Sequence, residues 1–351
     1  MNIPTKVPTL GKLRSVVQIL SFVFLVYGGL AIGHYAAEKI SGALPVLSCA
    51  YDQHNGGYCV LIPTQHQLHH RVGEALVRMQ QFSFDALIPL LFTFLSFYLF
   101  FVVLNKAFCG WICPLGTFQE MLYKAGRRLG LKKLPGLTPA RTRLVRPVKW
   151  LLLTFLVFLL PLLAGLGVTP HATGDAYCQI CPSRLLTTLA TGDLEQLTIN
   201  QTGVTDMIFS AIRALLFGIV VVLALAVRQP FCRICPLLAF NALFRRLSPM
   251  RLVKRAHDKC EQCGICHRAC PMDIHEIQQK SGPRAFHEDC TLCGRCAEYC
   301  PEDGVIQIKF GPLTLFRSSR DYYKRRIRGE KPDGEYPTVK TQPIPSGKER
   351  A

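Results

Sequence analysis

The sequence predicts a membrane all-α four-helix transmembrane bundle joined to a small, cysteine-rich α+β domain. Three observations predict it. Four apolar runs without an acidic residue precede residue 230, each about 19 to 20 residues, the length a helix needs to cross a hydrocarbon core of roughly 30 Å. Two copies of Cys-x2-Cys-x2-Cys-x3-Cys-Pro follow them, 30 residues apart. Lysine and arginine alternate in abundance along the connections between the runs. A composition of 49% hydrophobic and only 18% charged residues, with mean hydropathy +0.23, sets the chain apart from ordinary soluble proteins.

Taken in order, residues 1–14 are expected to form a cytoplasmic N-terminus, and residues 15–250 a membrane domain with spans at 16–35, 86–104, 150–168 and 208–227. The first run is too long for the apolar core of a cleaved signal and lacks a small-residue cleavage site. Lys6, Lys12 and Arg14 precede it. The connection 106–149 carries ten basic residues against the single acid Glu120, whereas 36–85 has three basic and four acidic residues, and 169–207 has Arg184 against Asp175, Asp193, Glu195 and Asp206. Basic connections stay in the cytoplasm. Both termini are therefore expected inside, in a multi-pass protein of the bacterial cell inner membrane. The net charge of +18 reads as this bias plus attraction to anionic lipid headgroups. No nucleic-acid recognition motif accompanies it. Arg213, in the fourth run, is expected to snorkel to the headgroups.

Residues 251–316 hold the repeated cysteine motif. Its spacing is that of a bacterial-type 2[4Fe-4S] ferredoxin, in which three thiolates wrap one cubane and the Cys-Pro turn sends the fourth to the other. One 4Fe-4S cluster is expected on Cys260, Cys263, Cys266 and Cys300, and a second on Cys290, Cys293, Cys296 and Cys270, so that iron is the metal. A pair of zinc knuckles would need only two Cys-x2-Cys pairs and leaves the third Cys and the Cys-Pro endings without a purpose. Residues 274–287 and 304–309 read as the short strands of this domain. From 317 to 351, Pro, Gly and charge dominate, and this basic tail is expected to be disordered or ordered only against a partner.

Eight further cysteines remain. Cys109 and Cys113 follow the second run, Cys232 and Cys235 the fourth, and both pairs are expected at the cytoplasmic interface. Each pair ends in Cys-Pro, and Pro suits the first turn of a helix, whose free N–H groups offset cluster charge. A third 4Fe-4S cluster on Cys109, Cys113, Cys232 and Cys235 is the expectation, against reduced structural thiols.

The stretch Phe108-Cys-Gly-Trp-Ile-Cys-Pro-Leu-Gly-Thr-Phe-Gln-Glu120, the second Cys-Pro motif and the appended double ferredoxin resemble the membrane polyferredoxins of the NapH kind and the C-terminal half of NosR. The resemblance covers roughly residues 14–309. It implies a quinol-linked or ferredoxin-linked electron-transfer (oxidoreductase) subunit. Two departures stand out: the second motif is Cys-x2-Cys-Pro instead of Cys-x3-Cys-Pro, and no flavin-binding domain of the NosR kind is present in this sequence, so flavin chemistry is not expected of it.

Cys49 and Cys59 fall in the first external connection, and Cys178 and Cys181 in the second. Three readings stay open: a fourth 4Fe-4S cluster, a redox-active thiol pair of the DsbB kind with Cys178 and Cys181 as the reactive thiols, or a structural bridge. His66, His69 and His70 would suit an external metal or quinone site, although such a trio among glutamines is commonly a solvated helix face. His34 and His171 suggest a quinone pocket, or less readily a haem. The expected function is electron transfer between a cytoplasmic donor or the quinone pool and a membrane or periplasmic acceptor. Two alternatives are cluster-driven thiol-disulfide exchange and an accessory or assembly role with structural clusters. The implied partners are membrane lipid, cytoplasmic and periplasmic redox proteins, and quinone.

Overall fold

The computed structural model describes residues 9–32, 61–77, 95, 101–132, 134, 137–190, 198–199, 203–255, 260, 263–283, 285 and 287–329. Cys49, Cys59 and His34, with most of the second expected span, lie outside these residues.

Helix α1 (Leu10–Ile32) covers most of the first expected span. Helix α2 runs over 61–77, with a π-helical turn at Gln67–Gly73 between α-helical ends. The segment 101–112 leads into α3 (Pro114–Arg128). Helix α4 (Pro139–Gly165) starts at Pro139, with the Thr138 hydroxyl accepting from the Arg141 amide at 3.4 Å. Short α5 (Ala176–Ile180) and α6 (Pro182–Ala190) follow. Helix α7 (Val204–Ala226) precedes α8 (Pro236–Leu243). Among the described residues, α4 and α7 are the helices that meet the length and hydropathy of a membrane span. Large apolar side chains face outward on both, including Leu151 and Phe155 on α4 and Leu215 and Val222 on α7, and α1 does the same with Ile19, Leu20 and Val23. Arg213 is an exception to expectation. At 7% exposure it is turned into the protein instead of snorkelling to the headgroups.

The C-terminal domain is a three-stranded antiparallel sheet in the order β1 (Met250–Lys254), β2 (Ile306–Phe310), β3 (Leu313–Arg317), with Leu252 opposite Ile308. Short helices α9 (Ile265–Arg268) and α10 (Arg295–Glu298) pack beside it. The expected strand within 304–309 is β2. The described residues of 274–287 instead show a 3-10 turn at His275–Ile277 and one bridge, Gly282 with Lys254. The run Gln278-Gln-Lys-Ser-Gly-Pro283 favours a turn over a strand, and the partner strand comes from residues 250–254, upstream of the motifs. Of the expected tail, residues 330–351 lie outside the described residues, whereas residues 317–329 are described and are ordered: Arg317 ends β3, and helix α11 (Arg320–Gly329) follows. Its Tyr322 ring meets Phe316 edge-on at 5.1 Å and its hydroxyl reaches the Leu10 amide, which supplies the buried contacts that composition alone did not suggest.

Two apolar cores result. One centres on Val157, Tyr177, Cys178, Cys181, Val220, Phe231 and Phe240 within the helices. The other joins Leu10 of α1 and Leu238 of α8 to Leu252, Ile274, Leu292, Ile306 and Ile308 of the sheet domain.

Candidate metal-cluster sites

Gly264 and Gly294, at φ 74° and 79°, turn the chain into α9 and α10. Only glycine adopts this backbone without strain. The turns bring Cys260, Cys263, Cys266 and Cys300 to the wall of one cavity, together with Gly264 and Lys254. Cys296 lies among Cys290, Cys293 and Cys270, with Cys266 as its next thiol neighbour. Burial, with repulsion from those neighbours, raises the Cys296 thiol well above its ordinary value, and burial pushes Cys300 up to about 11. Thiols crowded this way ionise only when a cationic centre binds them, which fits an iron-sulfur group.

The sheet domain sits directly on the Cys109 loop. A Cβ on Gly110 would lie 2.3 Å from the Thr291 carbonyl oxygen and 3.1 Å from the Cys293 backbone. Trp111 Nε1 donates to the Leu292 carbonyl at 3.0 Å, and Arg14 to the Cys293 carbonyl at 2.8 Å. Two of the ten basic residues of the 106–149 connection, Arg146 and Lys149, bind acids of the sheet domain here. Arg146 binds Glu276 at 2.5 Å and Asp289 at 2.8 Å, Lys149 binds Glu288 at 3.1 Å and also Asp289, and Glu120 pairs with Arg295. Burial by itself would raise the Glu120 carboxyl, but Arg295, Arg228 and Arg14 hold it down to about 2.

Within the helical domain, Cys113 and Cys235 sit at the N-caps of α3 and α8, with Pro114 and Pro236 at the first helical position. First-turn amides of Leu115 and Gly116 point at Cys113, and those of Leu237 and Leu238 at Cys235. Cys109, Cys113, Cys232 and Cys235 cluster together. Asn241 Nδ2 donates to Cys109 Sγ at 3.4 Å, and Gln119 Nε2 to Cys232 Sγ at 3.6 Å.

Cys178 and Cys181 are buried in the same core, against which Cys109, Cys113 and Cys235 pack. Tyr177 Oη lies 3.8 Å from Cys181 Sγ and 3.8 Å from Cys235 Sγ. At 4% and 8% exposure, Cys178 and Cys181 are out of reach of a soluble thiol. Sequence spacing missed this arrangement, which follows from an internal repeat. Gln65 accepts from the Tyr177 amide at 3.2 Å and donates to the Leu61 carbonyl at 3.1 Å and to Cys178 Sγ at 2.9 Å. Gln119 accepts from the Phe231 amide at 3.0 Å and donates to the Leu115 carbonyl at 3.1 Å and to Cys232 Sγ. Every member of the second set follows its counterpart by 54 residues, and so do Cys235 after Cys181 and Pro236 after Pro182. In this register Cys59 corresponds to Cys113.

The histidines converge as well. The His69 ring stacks on His70 with centroids 4.0 Å apart and lies 4.5 Å from the His171 ring; His66 is 4.5 Å from His70. His70 Nδ1 is 2.8 Å from Glu74 Oε1. Burial, then His70 and His171, push the His69 ring down to about 4, so it is neutral at physiological pH. His171 therefore belongs with His69 and His70.

Residues 86–132 and 209–255 each match the family described as a 4Fe-4S binding domain, and residues 259–306 match the 4Fe-4S dicluster domain. The chain thus carries 4Fe-4S domains of the ferredoxin type. It is 30% identical over 190 residues to the uncharacterized protein MJ0750 of Methanocaldococcus jannaschii, covering 53% of this chain and 68% of that protein. "Putative electron transport protein YccM" of Escherichia coli K12 is 27% identical over 182 residues, 51% of this chain and 45% of its own length. A second uncharacterized Methanocaldococcus jannaschii protein, MJ0749, is 26% identical over 189 residues, 52% and 60%. The matches with YccM and MJ0749 thus span less than two thirds of those proteins. No solved structure matches the chain.

Proposed function

We propose, from the premise that the chain belongs to one family with the archaeal protein MJ0750, that it is a multi-pass inner-membrane iron-sulfur protein that conducts electrons across the bilayer. The two cysteine sets of the sheet domain, Cys260, Cys263, Cys266 with Cys300 and Cys290, Cys293, Cys296 with Cys270, would each hold a 4Fe-4S group. Cys109, Cys113, Cys232 and Cys235 would hold a third, and Cys178 and Cys181, with Cys49 and Cys59, a fourth. Such a group supplies one-electron chemistry when bound. The chain contributes placement, burial and the amide and hydroxyl contacts to sulfur that set potentials.

The observation that carries this reading is the Tyr177 hydroxyl between Cys181 and Cys235. It joins the last two members of a continuous series: Cys266 neighbours Cys296, Gly110 packs on the Thr291–Cys293 loop, and Tyr177 spans the remaining gap. Successive spans run in opposite directions, so a repeat that relates α4–α5–α6 to α7–α8 would be inverted. Its two cluster sites would then enter from opposite faces and meet near mid-depth. Irregular backbone is tolerated there because it is buried in protein. The position of Cys178 and Cys181 beside the mid-helix residues Val157 and Val220 supports this depth. The name of YccM supports electron transport, and the resemblance to NapH and NosR supports a respiratory setting, with a cytoplasmic donor or quinol at one end and a membrane or periplasmic acceptor at the other. Burial of Cys178 and Cys181 disfavours the thiol-exchange reading.

Iron and sulfide per chain, measured on the anaerobically purified full-length protein, test the proposal. The expected result is one iron per cysteine, sixteen in all, with one quarter lost in Cys178→Ser. Half that iron content, unchanged in Cys178→Ser, would confine the clusters to the sheet domain and overturn the transmembrane path.

A further inference from the structure

Helix α2 carries a second constellation that the line of cysteines does not use. One ligand atom from each of His69, His70, Glu74 and His171 lies within 4.8 Å of the others. His70 Nδ1 and His69 Nε2 both face Glu74 Oε1, at 2.8 and 3.9 Å. We propose that these four residues bind a single transition-metal ion. Three imidazoles and one carboxylate are the donor set of zinc, iron and copper, whereas calcium and magnesium select oxygen.

The plain alternative is a stacked group of histidines on a solvated helix face, and three features weigh against it. First, His69 is 2% exposed, and two neighbouring segments are shaped around it. A Cβ on Gly174 would stand 2.1 Å from His69 Nδ1, and a Cβ on Gly165 would stand 2.3 Å from the His69 carbonyl oxygen. No side chain larger than hydrogen fits at either position without displacing the ring or its backbone. Second, His69, His70 and Glu74 lie in or directly after the π-helical turn Gln67–Gly73. A π-turn is rare and is found mostly at functional positions. Third, the residues are not an inheritance of the repeat. The positions 54 residues after His66, His69 and His70 are Glu120, Tyr123 and Lys124. There, Glu120 pairs with Arg295 of the sheet domain, and the Arg228 guanidinium stacks on the Tyr123 ring at 4.7 Å.

The two halves have therefore put the same face to different uses. In one half it docks the domain of the chain's own sheet; in the other it presents imidazoles. His69 closes the bottom of the site and His171 is exposed at its rim, which leaves a coordination position open to solvent or to a ligand. Gln65, one turn before His69, donates to Cys178, so the ion would stand beside the end of the cysteine series farthest from the sheet domain.

Cobalt(II) is a suitable probe, because its visible bands report coordination number and nitrogen ligation. Full-length protein with its iron intact, stripped of loosely held metal by a mild chelator, is titrated with Co²⁺ in detergent. One Co²⁺ per chain is expected, with ligand-field bands that Zn²⁺ abolishes, and binding weakened at least tenfold in both His70→Ala and His171→Ala. Iron content and cluster EPR spectra should stay at the parental level in both variants, and His171, exposed at the rim, is the substitution least able to disturb the fold. Absence of stoichiometric binding, or bands that persist unchanged in both variants, overturns the site. Neither result bears on the iron count that tests the electron path.

Discussion

Tyr177, Gln65 and Gln119 do the positioning that the cysteines alone do not. Each glutamine ties a helix carbonyl, a following amide and a thiol sulfur into one geometry, and an N–H aimed at a ligating sulfur favours the reduced, more negative state. The Tyr177 hydroxyl has a sulfur at 3.8 Å on either side. Tyr177→Phe should therefore leave iron content intact and lower the potential of the centre whose sulfur accepts the one hydroxyl proton. The loss of about 1 kcal/mol of hydrogen bonding corresponds to roughly 40 mV for a one-electron couple. Redox-titrated EPR reads this, and unchanged potentials at both centres would remove the Tyr177 hydroxyl from the ligating sulfurs. The cysteines were legible because ligand spacing is a local property of the chain. Gln65 and Gln119 were not, since a glutamine on an amphipathic helix has no signal of its own; aligning Tyr177-Cys-Gln-Ile-Cys-Pro182 with Phe231-Cys-Arg-Ile-Cys-Pro236 and extending the register backwards would have exposed them.

At the scale of elements, close packing by glycine holds the pieces together. Helix α3 meets α7 where a Cβ on Gly126 would stand 2.2 Å from the Leu225 carbonyl oxygen, and the Cys109 loop meets the sheet domain at Gly110. Gly110→Ala must push the Thr291–Cys293 loop away, at about 1–3 kcal/mol. The expected outcome is a lower thermal midpoint and faster proteolytic release of the sheet domain. Gly218→Ala, in open space on the outward side of α7, should be neutral or slightly stabilising, as alanine is the better helix former. Equal losses in the two variants would show that glycine flexibility, and not contact, matters at Gly110. The helices beginning at Pro114 and Pro236 could be anticipated because N-terminal proline is a local rule. The strand at residues 250–254 was missed because it is defined only by its distant partner, Ile306–Phe310.

For the whole molecule, the sheet domain is held to the helical domain by paired charge as well as by apolar contact. Glu276 is held down to about 2 from an ordinary 4.5, chiefly by the hydrogen bond from Arg146 against a smaller burial penalty. Its stabilisation is complete above about pH 4.5 and is lost as pH falls toward 2, because the unfolded chain takes up the proton first. Glu276→Gln should thus lower the melting temperature at pH 7 by an amount equivalent to about 1 kcal/mol or less, the pair being partly exposed. Melting curves at pH 7 and pH 3 should show the gap from the parent protein narrowing in acid; a constant gap would assign the effect to packing. From residue order alone came the cluster-binding motifs, the apolar lengths that can span a membrane and the basic character of the connections, because ligand spacing, hydropathy and charge are carried by short stretches of chain. The tertiary structure decided that basic residues such as Arg146 and Lys149 bind acids of the sheet domain, that His171 joins His69 and His70, and that Cys181 and Cys235 share the Tyr177 hydroxyl. These contacts join segments tens of residues apart, and no local spacing encodes which buried faces meet when helices pack.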